Sequence, residues 1–135
     1  MPPSLSTPIL LVDDDPSVRR SLGRLLRANG YAVLDADNMV QARAILTTAQ
    51  PALMLVDMVM PGSSTVEAVR QIKAEPTTAA MPIIALTGSP PSAPRDRALF
   101  AGIVAKPTDA RALLDVIARM LAAGSRSAGV IDDQS

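Results

Sequence analysis

Residues 9–20, ILLVDDDPSVRR, place two different patterns back to back. Ile9–Val12 is a continuous apolar run, the signature of a strand buried on both faces. Pro16 onward reads as a helix, with Asp15 as its N-cap and Pro16 in its first turn. Between them stand three adjacent carboxylates, Asp13, Asp14 and Asp15, which repel one another and which folding alone does not require.

The same alternation continues along the chain. Val18, Leu22, Leu25 and Leu26 make one helix face, and Asn29-Gly30 is a stop signal. Tyr31–Ala36 reads as a second strand, followed by a helix capped by Asn38 with Ala42, Ile45, Leu46 and Ala49 inward. Leu53–Val56 is a third run, ended by Asp57. A helix with Val66, Val69 and Ile72 comes next, and Ser64 with Glu67 forms a candidate capping box for it. Ile83–Leu86 is the fourth run, followed by a proline-stiffened loop and a short helix near Arg95–Ala101. Ile103–Ala105 is a brief fifth strand, and Thr108 or Asp109 caps a last helix with Leu113, Val116, Ile117, Met120 and Leu121 inward. Five such strands alternating with helices predict a doubly wound α/β fold with a parallel sheet. The expected organisation is a loose N-terminal segment (1–8), one domain (9–123) and a disordered polar tail (124–135).

Composition narrows the chemistry. The chain has 135 residues, 48% of them hydrophobic, which suits one packed domain. Formal net charge is zero and no basic block stands out, so neither nucleic acid nor a membrane surface is an expected partner. Tyr31 and Phe100 are the only aromatic residues, which also disfavours base stacking. With no cysteine and no histidine, disulfides, thiolate or imidazole metal sites and Ser–His–Asp chemistry lose their components. Any metal must bind through oxygen, which points to magnesium, calcium or manganese. There is no signal-peptide pattern and no apolar run of about 18 residues, so a soluble cytoplasmic protein is expected.

In a doubly wound sheet, ligands sit beyond the carboxyl ends of the strands, where the strand order reverses. The residues at those ends are Asp13-Asp14, Asp57, Thr87 and Lys106-Pro107. If the first and third strands are neighbours, about 4.8 Å apart, Asp13, Asp14 and Asp57 raise each other's pKa values, and a divalent cation removes the conflict. Magnesium accepts phosphate oxygens as well as carboxylates, so it could join Asp57, as nucleophile, to a phosphoryl donor. Lys106 and Thr87 would then neutralise and hydrogen-bond the transferring group. Taken singly, each of these residues is more commonly a turn, cap or strand-exit residue; it is their joint placement that carries meaning.

The stretches LLVDDDPSVRR, LMLVDMVMPG, IIALTG and AKP, in this order and spacing, resemble the receiver domain of bacterial two-component response regulators. The resemblance covers about Pro8 to Ala122. It implies a flavodoxin-like five-stranded sheet in the order 2-1-3-4-5 with five flanking helices. It further implies that Asp57 is the phosphoacceptor, Asp14 a direct Mg2+ ligand, Asp13 a ligand through water and Val59 a ligand through its backbone carbonyl. Thr87 takes the place of the switch hydroxyl and Lys106 that of the phosphate-pairing lysine. The implied donor is a histidine kinase or histidine phosphotransfer protein. The implied activity is that of a signalling module rather than an enzyme, catalysing only its own phosphorylation and dephosphorylation.

The chain also departs from the family. The position three before the lysine, usually aromatic, is Ile103, and Gly102–Lys106 is shorter than usual. Gly62–Thr65 lacks the usual Asp-Gly. These changes put the output switch in question, although Phe100 could stand in for the ring. Val59 cannot orient an attacking water, so a long-lived phospho-Asp57 is expected. Residues after Ala123 are too few for an output domain, which makes a stand-alone receiver the leading expectation. The alternatives are a degenerate receiver that binds partners without phosphorylation, and a Mg2+-dependent phosphatase with an Asp nucleophile. The phosphatase lacks its usual second acid at Val59.

Overall fold

The computed structural model describes residues 8–58, 65–88, 93–106 and 109–133, with the side chains of the last helix as far as residue 122. Ten elements alternate along the chain: β1 (Ile9–Val12), α1 (Pro16–Ala28), β2 (Val33–Ala36), α2 (Met39–Leu46), β3 (Leu53–Asp57), α3 (Thr65–Ala74), β4 (Ile83–Thr87), α4 (Pro94–Arg97), β5 (Gly102–Ala105) and α5 (Ala110–Asp133). All strand pairs are parallel and the sheet order is β2-β1-β3-β4-β5, as expected.

The continuous apolar runs have a direct cause. Successive strand residues point to opposite faces, and here both faces are covered. Leu10, Val12, Met54, Val56, Ile83 and Ala85 pack with Met39 and Ala42 of α2 and with Val69 and Ile72 of α3. Ile9, Leu11, Leu53, Leu55, Ile84 and Leu86 pack with Leu26 of α1 and with Leu113 and Ile117 of α5. Each fully buried Val, Leu, Ile or Met side chain of the strands contributes about 1.5–3 kcal/mol of transfer free energy. A one-residue slip of β1 or β3 would exchange the two faces and misplace the residues that follow.

Helix ends follow local chemistry. The Asp15 side chain accepts from the backbone N–H of Ser17 (2.8 Å) and Val18 (3.4 Å), so Asp15 is the N-cap of α1. Gly30 leaves the helix at φ 92°, a conformation costly for any residue with a Cβ. Asn38 Oδ1 accepts from Gln41 N at 2.7 Å and caps α2. Asp109 Oδ1 accepts from Arg111 N at 3.1 Å at the start of α5. The other candidate caps, Ser64 and Thr108, lie outside the described residues.

Several boundaries differ from the sequence reading. β2 begins at Val33, because Tyr31 N donates to Leu26 O and so belongs to the end of α1. Val18 is 37% exposed, so the first turn of α1 contributes little to the core. α4 is only four residues long, since Ala101 N already donates to Ile83 O and begins the pairing of β5. Phe100 is buried in the core on the α2–α3 side, where it fills space. α5 continues to Asp133, past the Gly124 at which an irregular tail was expected; one glycine weakens a helix by about 1 kcal/mol without necessarily ending it. Among the described residues no helix is long and apolar enough to cross a membrane.

Candidate functional site

From β1 the chain passes to β2 on one side and returns to β3 on the other, so the strand order reverses between β1 and β3. A crevice opens at the carboxyl ends of such a pair. Val12 is in register with Val56, which sets Asp13 and Asp57 level with each other at that rim. One carboxylate oxygen from each of Asp13, Asp14 and Asp57 lies within 4.8 Å of the others.

The three acids are held differently. Asp13 is 1% exposed. Its N–H donates to Ala36 O (3.1 Å), and its Oδ1 accepts from Asp15 N (2.9 Å). Its Oδ2 is buried with no hydrogen-bond partner. Burial raises the Asp13 pKa; the Asp15 N–H works against this, the Asp57 charge adds to it, Lys106 opposes it and Asp14 adds again. The mutual repulsion expected from the sequence is therefore present at Asp13, after burial as the leading cause. Asp14 is exposed, whereas Asp57 is buried.

Lys106 supplies the opposite charge. Its N–H donates to Thr87 O at 3.0 Å just beyond the last β4–β5 pair, and its Nζ reaches past β4 to Asp57 Oδ1 at 2.8 Å. Thr87, 1% exposed, ends β4 between them. The rim thus brings together Asp13, Asp14, Asp57, Thr87 and Lys106, all five of the described residues singled out from the sequence. Val59 lies outside the described residues.

Three carboxylates against one ammonium leave an excess of two negative charges when all are ionised. All the candidate donors are oxygens, two of the acids are buried, and one buried oxygen lacks a partner. That set fits a hard divalent cation, which takes oxygen ligands and needs no histidine or cysteine. Sequence reasoning missed one residue at this site. Arg19, on α1, donates from Nη1 to the Asp13 carbonyl oxygen at 2.8 Å. Its separation of six positions from Asp13, in the first turn of the following helix, was the available signal.

Comparison with known proteins agrees with this geometry. The response regulator receiver domain model matches residues 9–118. The phosphate regulon transcriptional regulatory protein PhoB of Pseudomonas aeruginosa is 39% identical over 79 residues, covering 58% of this chain and 34% of PhoB. This chain thus spans only about a third of PhoB. Protein PilH of the same organism is 32% identical over 117 residues, covering 84% of this chain and 97% of PilH. Among solved structures, the receiver domain of a sensor histidine kinase from Pseudomonas aeruginosa superposes with a TM-score of 0.77 at 28% identity, covering 87% of this chain and 98% of that one. That structure holds a magnesium ion coordinated in its active-site cleft. Fold, rim and family match converge: this chain belongs to the response regulator receiver family.

Proposed function

We propose that Asp57 accepts a phosphoryl group from a histidine kinase or histidine phosphotransfer protein, with Mg2+ held by the acidic cluster. The observation that carries this reading is the convergence of Asp13, Asp14 and Asp57 within 4.8 Å, with Lys106 Nζ 2.8 Å from Asp57 Oδ1. A carboxylate oxygen of Asp57 forms the new P–O bond, the P–N bond of the donor phosphohistidine breaks, and the departing imidazole takes up a proton. Bound Mg2+ supplies charge neutralisation for the phosphoryl oxygens.

The chain's own residues do the rest. Lys106 orients the Asp57 carboxylate and counters the charge that spreads over the transferring group. Thr87, at the neighbouring strand end, donates its hydroxyl hydrogen to a phosphoryl oxygen. Asp13 and Asp14 would hold the cation together with Asp57, and the resemblance adds the Val59 carbonyl as a further ligand. The protein acts on its own aspartate and turns over no second substrate, signalling through protein contacts in the cytoplasm. The magnesium-bound kinase receiver and PilH support this reading by likeness.

A second reading, phosphorylation-independent binding, draws on Ile103. This half-buried alkyl side chain packs against the core at the position where the resemblance implies a ring. One experiment separates the readings. Incubation with acetyl phosphate and Mg2+ followed by intact-mass measurement should give a single phosphoryl adduct on the wild type and none on Asp57→Ala. No adduct on the wild type would favour the phosphorylation-independent reading. Catalytic release of phosphate from an aryl phosphate, without an adduct, would favour a phosphatase.

A further inference from the structure

α1 carries four arginines, and they are not alike. Arg20, Arg24 and Arg27 are exposed, whereas Arg19 is half-buried in the first turn. A cation there faces the positive end of the helix dipole and is disfavoured. Helix chemistry alone therefore does not explain Arg19. Among the described residues it forms no ion pair. Its Nη1 instead donates to the carbonyl oxygen of Asp13 at 2.8 Å.

That bond completes a closed set around the β1–α1 turn. Asp13 N–H is bound to Ala36 O on β2, and Asp13 Oδ1 accepts from Asp15 N. Asp15 caps the helix through its side chain, and its carbonyl oxygen accepts from Arg19 N at 2.9 Å. With the Asp13 carbonyl also fixed, the peptide plane joining Asp13 to Asp14 has one orientation. That plane sets where the Asp14 side chain starts. The only Asp13 side-chain oxygen left without a partner is the buried Oδ2.

We propose that Arg19 is a positioning residue of the acidic site. Its guanidinium, bonded to the Asp13 carbonyl, holds the Asp13–Asp14 peptide so that both carboxylates converge with Asp57. It acts on the carboxylates through the main chain and is not itself a ligand of the cation. This inference rests on the reading that the cluster binds a divalent cation. A residue that merely fastened α1 to β1 would change stability and leave cation affinity alone.

The test separates those roles. Mg2+ is titrated into the full chain well below its melting temperature, with affinity read from backbone amide shifts, and stability is read from melting in EDTA. Arg19→Met keeps the apolar stem and removes the donor; it should weaken Mg2+ binding about 10-fold, and Arg19→Lys should recover it to within about threefold. Should Arg19→Met fail to fold, Arg19→Ala serves in the same comparison. An affinity unchanged on loss of the donor, or a lysine variant as weak as Arg19→Met, overturns the role of Arg19 while leaving the cation site standing. Absence of Mg2+ binding by the wild type overturns both this inference and the reading beneath it.

Discussion

The two sides of the rim are built differently. On the β1–β3 side, the turn after β1 holds the short side chains of Asp13 and Asp15 through backbone N–H groups. Asp13 is tied through its N–H, its carbonyl and one carboxylate oxygen, and Asp15 is tied through its side chain to the next helix. On the β4–β5 side the charge arrives on one long side chain, Lys106, from a strand end flanked by a four-residue α4 and by the half-buried Ile103. The first side concentrates like charge and is preorganised against its own repulsion. The second supplies the counter-charge on a flexible stem. Under the proposed function, precision in holding the cation falls to the acidic side, and adjustment on phosphorylation to β4 and β5.

The largest expected effect is at the contact between the sides. Lys106→Met removes the cation beside Asp57 and should slow phosphoryl transfer from acetyl phosphate about 100-fold or more, followed by intact mass over time. A rate within a few-fold of wild type would show that Lys106 contributes little to the chemistry.

Asp13→Asn should separate stability from cation binding. It removes a buried charge with an unpartnered oxygen and should stabilise the metal-free protein by about 1–2 kcal/mol while weakening Mg2+ binding. The pH dependence follows from the raised pKa of Asp13. The folded state holds that proton more tightly than the unfolded state does, so the charge penalty is complete above the folded pKa. It is relieved as pH falls through that value toward the ordinary carboxylate range. The stability gap between Asp13→Asn and wild type in EDTA should therefore narrow on acidification. A gap that widens would mean that Asp13 is stabilised as an anion.

Ile103→Ala tests the other side. Loss of a half-buried alkyl group should cost about 1–2 kcal/mol in urea unfolding while leaving adduct formation on Asp57 unchanged. A large loss of labelling would place Ile103 in the chemistry rather than in the packing. The smallest effect is expected at Asp96, which pairs with Arg70 at 2.8 Å and links α4 to α3. Asp96→Ala should change stability by less than about 1 kcal/mol, and high salt should erase the difference. A larger change would make α4 a structural anchor despite its length.

Much of this was legible in the linear pattern, for identifiable reasons. Apolar runs mark strands covered on both faces, and the residue that ends each run falls at the rim, so Asp13, Asp57, Thr87 and Lys106 could be placed together without coordinates. Asp15 and Asn38 could be recognised as caps because capping is a contact over two or three positions. The start of β2 was less legible, because Tyr31 is claimed by Leu26 of the preceding helix. The length of α4 was missed because the pairing of Ala101 with Ile83 is a contact with another element, β4, which the local pattern around α4 does not reveal.

The sequence by itself thus determined the alternation of elements, the sheet, the acids at the strand ends and the family they indicate, since each depends on local pattern or on order along the chain. Only the tertiary structure decided how those residues meet: that Lys106 reaches Asp57 across 49 positions, that Arg19 holds the Asp13 carbonyl, and that one oxygen of Asp13 is buried without a partner. Such contacts depend on where separate elements come to rest after both faces of the sheet are covered, and no spacing within the chain encodes a side chain's final direction.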